Sequence, residues 1–214
     1  STWSPTWTTT GISLPEETED LHIAVKVTDL AGNWDTGGIT VPVSGGGDTC
    51  NTLIYGNLEG ANNYNFDICD HTNTYFVGQT YVNFDAEKTI CKLSFSMTRE
   101  AGDISGKTYY AVIAPLNGTS MDVENIIATS SGVTGSNSWS ETAVDFIFSS
   151  GVTLSKSTEY VTAITTESVD ASNYAVMNLT QTNVIAGGVR TFTSDGTRTD
   201  YSSYDAIWGA YESD

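Results

Sequence analysis

The residues that could do chemistry are few and dispersed. His22 and His71 stand alone, and no C-x-x-C pair or H-E-x-x-H run accompanies them, so zinc has no ligand set. No G-x-S-x-G elbow, P-loop or dinucleotide-binding glycine pattern occurs. Glycoside hydrolysis needs two carboxyl groups at a fixed separation. The nearest candidates are Glu159 at a strand start and Glu167 with Asp170 in a loop, and they form no such pair. The chain therefore reads as non-catalytic.

Binding chemistry is better represented. Trp139, Tyr174, Tyr201 and Tyr204 lie in or beside loops rich in Asn, Ser and Asp. An aromatic face flanked by amides and carboxylates suits the apolar side of a sugar ring and its hydroxyls. These four are the expected ligand-binding residues, although Trp139 could equally cap a core, and Trp208 in a terminal strand reads as core. Asp67, Asp70 and Asp205 are candidates for a structural calcium ion, since oxygen ligands from loops can tie a sandwich together. Asp67-Ile68-Cys69-Asp70 lacks the D-x-D-x-D-G pattern of a calcium loop, and no cofactor is otherwise required. Asn117-Gly118-Thr119 and Asn178-Leu179-Thr180 match the N-glycosylation pattern.

The three cysteines cannot all pair within one chain. Cys50 and Cys69 are close enough in sequence to staple the first hairpin region. Cys91 alternates with Leu93, Phe95 and Met97 and so reads as a buried core thiol. The net charge of −18 reflects 8 Lys and Arg against 26 Asp and Glu, and Ser and Thr make up about a quarter of the chain. Such a surface repels phosphate backbones and anionic lipid, which argues against nucleic-acid partners. No apolar run approaches the roughly 18 residues a membrane span needs, so no membrane insertion is expected.

These residues must be positioned by strands. Val43-Ser44-Gly45-Gly46-Gly47-Asp48 reads as a linker (45–48) between a shorter segment, 1–44, and a longer one, 49–214. Within 1–44, a pair of alternating runs flanks Asp29-Leu30-Ala31-Gly32-Asn33, a hairpin. Within 49–214, strands are expected over Thr52–Asn57, Thr74–Phe84, Thr89–Thr98, Lys107–Ala114, Ala143–Ser149, Glu159–Thr166, Tyr174–Leu179, Gly188–Thr193 and Asp205–Glu212. Met121–Ser130 reads either as a helical turn or as the start of a strand at Ile126. The expectation is an all-β chain, a jelly-roll-like β-sandwich behind a smaller N-terminal β segment.

Val25-Lys26-Val27-Thr28-Asp29-Leu30-Ala31-Gly32-Asn33 with the strand that follows resembles the last hairpin of bacterial immunoglobulin-like domains of secreted surface proteins, which implies a partial immunoglobulin-like segment over 1–44. Over about 74–212 the order of core runs resembles choice-of-anchor and carbohydrate-binding-module-like sandwiches. The runs include Thr89-Ile90-Cys91-Lys92-Leu93-Ser94-Phe95, Tyr109-Tyr110-Ala111-Val112-Ile113-Ala114, Val144-Asp145-Phe146-Ile147-Phe148 and Ala206-Ile207-Trp208-Gly209-Ala210-Tyr211. That resemblance implies an extracellular or cell-surface location and no particular ligand. The chain's start at Ser1 reads as a processed or excised end. Two functions are therefore expected. One is a carbohydrate-binding or adhesion module at the C-terminal end of a larger secreted protein, with a polysaccharide or cell-surface glycan as partner. The other is a structural subunit of an extracellular filament, sheath or phage appendage, with copies of itself as partners.

Overall fold

The computed structural model describes residues 21–28, 34–41, 50–58, 62, 64–71, 74–82, 86–118, 120–181, 188–201 and 203–212. The chain divides into two units, 1–48 and 49–214. In the first, β1 (Leu21–Thr28) pairs antiparallel with β2 (Trp34–Val41), with Ile23 opposite Ile39 and Val27 opposite Asp35. The expected turn at 29–33 and the glycine linker at 45–48 lie outside the described residues.

The second unit is an all-β sandwich of two antiparallel sheets. No described helix is long and apolar enough to cross a membrane. One sheet runs β10 (Val133–Thr134), β7 (Thr108–Asn117), β12 (Glu159–Thr166), β5 (Phe76–Val82), β14 (Val189–Phe192), β15 (Arg198–Tyr201), with β8 (Ser120–Met121) and β9 (Ala128–Thr129) also on β7. In the other, β6 (Lys88–Ala101) pairs on one side with β11 (Thr142–Leu154). On its other side it pairs with β17 (Trp208–Glu212) and then with β13 (Tyr174–Thr180). β3 (Thr52–Asn57) adds to β17, while β4 (Tyr64–Asp67) and β16 (Asp205–Ala206) add to β13.

Burial follows from sequence period. β11 alternates, with Val144, Phe146 and Phe148 buried and Ala143, Asp145 and Ile147 exposed, as expected of a strand covered on one face. β7 reads as a nearly unbroken apolar run, and β12 is buried continuously from Tyr160 to Thr166 despite its threonines, because both of their faces are covered. Tyr109, Ala111 and Ile113 face the main core, whereas Val112 and Ala114 join Phe76, Met121 and Phe192 in a second cluster. Residues 120–127 fold back over that second face, with a 3-10 turn at Val123–Asn125 and Met121 N–H donating to the Gly196 carbonyl at 3.1 Å. Met121–Ser130 thus contains both a helical turn and a strand. In the main core Trp208 stacks on Phe95 (6.0 Å between centroids, 20°) and tilts against Tyr81 at 5.4 Å.

The cysteine pairing differs from expectation: Cys50 is bonded to Cys91, and Cys69 is free and buried. The reason is a bulge. Tyr211 pairs with Lys92 and Glu212 with Ile90, and across β11 Ile147 pairs with Lys92 and Val152 with Ile90, so Cys91 has no partner in either ladder. The extra residue shifts the alternation, so that Ile90, not Cys91, continues the buried row of Leu93, Phe95 and Met97. Cys91 turns toward Cys50, whose Cα lies 5.9 Å away.

A second irregularity positions β13 and β4. Where β6 changes partner, Ser96 N–H donates to the Ile207 carbonyl (2.8 Å) and Ile207 N–H to the Asn178 carbonyl (3.0 Å). The fully buried Asn178 side chain fills the fork, donating to Ser96 Oγ (2.8 Å) and accepting from Thr98 Oγ1 (3.1 Å). Of the two glycosylation-pattern asparagines, Asn178 is therefore sealed, while Asn117 is exposed.

Candidate functional site

β4 is four residues long, Tyr64-Asn65-Phe66-Asp67, and among the described residues it pairs only with β13. Its alternation sends Tyr64 and Phe66 to the side of their partners Leu179 and Met177, which are core residues, and Asn65 and Asp67 to the side of Asn178 and Val176. At the edge of its sheet, β4 meets the far edge of the other sheet. Phe66 contacts Tyr201 at the end of β15 (4.2 Å between centroids), and Tyr64 contacts Tyr204 (4.6 Å, 65°). The 201–204 turn is fixed by Tyr204 N–H donating to the Tyr201 carbonyl at 3.1 Å and by Val189 N–H donating to the Tyr204 carbonyl at 3.0 Å. Phe66 and Tyr204 pack against the core, while Tyr64 remains 47% exposed. A hydrogen bond with Tyr204 holds the Tyr64 phenol above its ordinary pKa.

Beyond β4 the chain turns sharply through Cys69, which adopts φ +54°. Cys69 N–H donates to the Thr74 carbonyl and Asp170 N–H to the Cys69 carbonyl. The turn sets Asp70 beside Asp67. Burial opposes the Asp70 charge, but bonds from the Thr74 hydroxyl and the His71 ring outweigh it and lower its pKa. Asp67 moves the other way, pushed up to about 6 by burial first and then by the Asp70 charge. Tyr174 stands close enough to Asp67, Asp70 and Glu100 that, after burial, their charges raise its phenol pKa.

Of the expected ligand residues, Tyr201 and Tyr204 thus converge on β4, and Tyr174 lies by its carboxylates. Trp139 does not join them: it is 9% exposed and packs on Tyr109 at 5.5 Å, so its ring belongs to the core. The calcium trio is likewise not assembled. Asp67 and Asp70 adjoin, but Asp205 is fully buried, accepting from Gln79 Nε2 at 3.2 Å while Gln79 Oε1 accepts from Ala206 N–H at 2.9 Å. No group of three His, Cys, Asp or Glu able to hold a metal occurs among the described residues. Glu167 accepts from the Tyr110 hydroxyl at 2.9 Å, and Asp170 is held at about 2 by the Ser172 amide, Asn173 and Lys107. These two acids make separate contacts in their loop. Sequence reasoning missed Tyr64 and Phe66; their signal was the alternation of two aromatics with Asn65 and Asp67, in a run too short and polar to stand out. No family model matches the chain, and no curated protein matches it.

Proposed function

We infer that the 49–214 sandwich is a non-catalytic extracellular module that binds carbohydrate or a glycan-bearing surface. The observation that carries this reading is the exposed Tyr64 ring, braced by Tyr204 and followed along β4 by Asn65, Phe66 and Asp67. A ring held in place before binding loses little freedom when a sugar stacks on it. The Cys50–Cys91 bond fits an oxidising compartment, which supports an extracellular or cell-surface location. The test is a glycan array followed by titration of the hits with wild type, Tyr64→Ala and Tyr204→Ala. Binding that weakens more than about tenfold, or about 1.4 kcal/mol, in both variants is expected. Failure to bind any glycan, or equal binding by all three proteins, sinks the reading.

A second reading, a structural subunit of a filament, sheath or phage appendage, is favoured by the β1–β2 pair, two-stranded among the described residues, because a two-stranded sheet is marginal in water and gains from added strands. Sedimentation across a concentration series separates the two. Polymerisation that stops when 1–44 is deleted supports assembly, and a monomer at all concentrations removes it.

A further inference from the structure

We propose that a groove between β9 and β11 is a second ligand site, taking an uncharged saccharide unit of one or two rings. Its origin is legible in the β11 sequence. The alternation through Phe146 and Phe148 breaks at Ser149-Ser150-Gly151 and resumes at Val152. In the ladder, Phe148 through Gly151 stand against the single residue Cys91 of β6, so the chain loops away from its partner. β9 runs past this loop, and Ser131 N–H donates to the Ile147 carbonyl at 2.8 Å where the two segments meet. A groove of about 360 Å³ results, lined by Ile127, Thr129, Phe148, Ser149, Val152 and Thr153 among others.

The lining selects the ligand class. None of the nine lining residues carries a charge, so a phosphate, carboxylate or ammonium would lose its water without gaining a counter-charge. Phe148 and Val152 are buried and offer only a small apolar contact, with Ile127, 42% exposed, as an apolar lip. The hydroxyls of Thr129, Ser149 and Thr153 stand on exposed residues around them. A mainly polar, uncharged lining with a small apolar contact suits a pyranose, whose hydroxyl rim surrounds a C–H face. The volume lies near the lower end of the roughly 300–1,000 Å³ of small-molecule sites. An extended peptide is a poorer fit, since strand addition needs a run of free ladder groups and β9 has only two paired residues facing an irregular loop. The groove shares no residue with the β4 patch, so either site could fail without the other.

The test follows backbone amide shifts of 127–129 and 148–153 while maltose, cellobiose, lactose or N,N′-diacetylchitobiose is added to the full chain, up to about 20 mM, as suits millimolar affinity. At least one disaccharide is expected to shift the groove amides saturably. Ser149→Trp or Thr129→Trp, each replacing an exposed residue with a ring that fills the groove, should weaken that response at least about tenfold, and Tyr64→Ala should leave it unchanged. No saturable shift in the groove with any of the four sugars overturns the proposal, as does an unaltered response in both filled variants. Shifts confined to β4 would overturn it while supporting the site there.

Discussion

Replacing both Cys50 and Cys91 with Ser should destabilise the sandwich by an amount that the chain separation sets. The bond closes a loop with a sequence separation of 41. Loop-closure entropy for that length corresponds to about 4 kcal/mol at 25 °C, because the unfolded chain regains the freedom the cross-link removed. For a unit of this size, each kcal/mol moves the midpoint of thermal unfolding by roughly 2–4 °C, so a fall of about 8–16 °C is expected. Guanidinium unfolding of wild type, wild type with reductant, and the double variant gives the comparison, and the reduced wild type should converge on the variant. Alkylation in denaturant without reductant should label one thiol, Cys69, which is shielded in the native state. A Cys50–Cys69 peptide in a non-reducing digest would refute the bulge argument directly. A double variant within about 0.5 kcal/mol of wild type would refute the loop-entropy reasoning.

Other outcomes follow from single positions. Asp67 has a pKa raised from 3.8 to about 6, so its contribution to stability is fully present below the ordinary value and is lost as pH rises through about 6, where it must ionise beside Asp70. Asp67→Asn should therefore stabilise the fold relative to wild type at pH 7.5 and do so less at pH 4; a pH-independent difference in denaturation midpoint would contradict this. Gly78→Ala would place a Cβ 2.2 Å from the Thr162 carbonyl oxygen and 2.6 Å from Ala163 Cα, both backbone atoms of the central β12. A loss of about 1–3 kcal/mol or more is expected in chemical denaturation, and an unchanged midpoint would show that the two strands can part. Asn178→Ala leaves Ser96 and Thr98 without their partner at the fork of β6 and should cost about 1–3 kcal/mol, whereas Asn117→Ala, on an exposed residue, should be silent.

The strands easiest to read were those rich in β-branched, aromatic and aliphatic residues. Glu159–Thr166 is β12 and Thr52–Asn57 is β3 to the residue, and Tyr109-Tyr110-Ala111-Val112-Ile113-Ala114 lies within β7, because β-branched, aromatic and other apolar residues dominate these runs. β4 and β15 were not legible. Both are short edge strands, with two of the four residues of β4 and three of the four of β15 polar or charged, and only their pairing with β13 and β14 makes them strands. Phase was harder still. Counting back by twos from Leu93 reaches Cys91, and nothing in Thr89-Ile90-Cys91-Lys92 announces the extra residue that turns it outward. The aromatic candidates divided on the same principle. Trp139 lies where Arg99 N–H reaches its backbone carbonyl and its ring is drawn under Tyr109, a long-range contact with no local signature. Asp205 reads as a surface carboxylate until Gln79, 126 residues earlier, is placed opposite it across the interior.

The β4 patch and the stability of its edge are coupled in a graded way. Phe66 and Tyr201 fill the gap between the last strands of the two sheets, so their area is removed from water and holds the edge shut. Tyr64 lies one pleat further along the same strand, where Leu179 still supports it from behind while nearly half of its surface stays in solvent. The energy that orders the Tyr64 ring thus comes largely from residues that would be buried without any ligand. A ligand stacking there, as proposed, would meet a surface whose ordering has already been met by folding. The same arrangement ties the site to the fork at Asn178, because β13 carries both Asn178 and the partners of Tyr64 and Phe66. Displacing β13 from β6 would move the aromatic edge together with the core residues Ala175, Met177 and Leu179 that β13 carries.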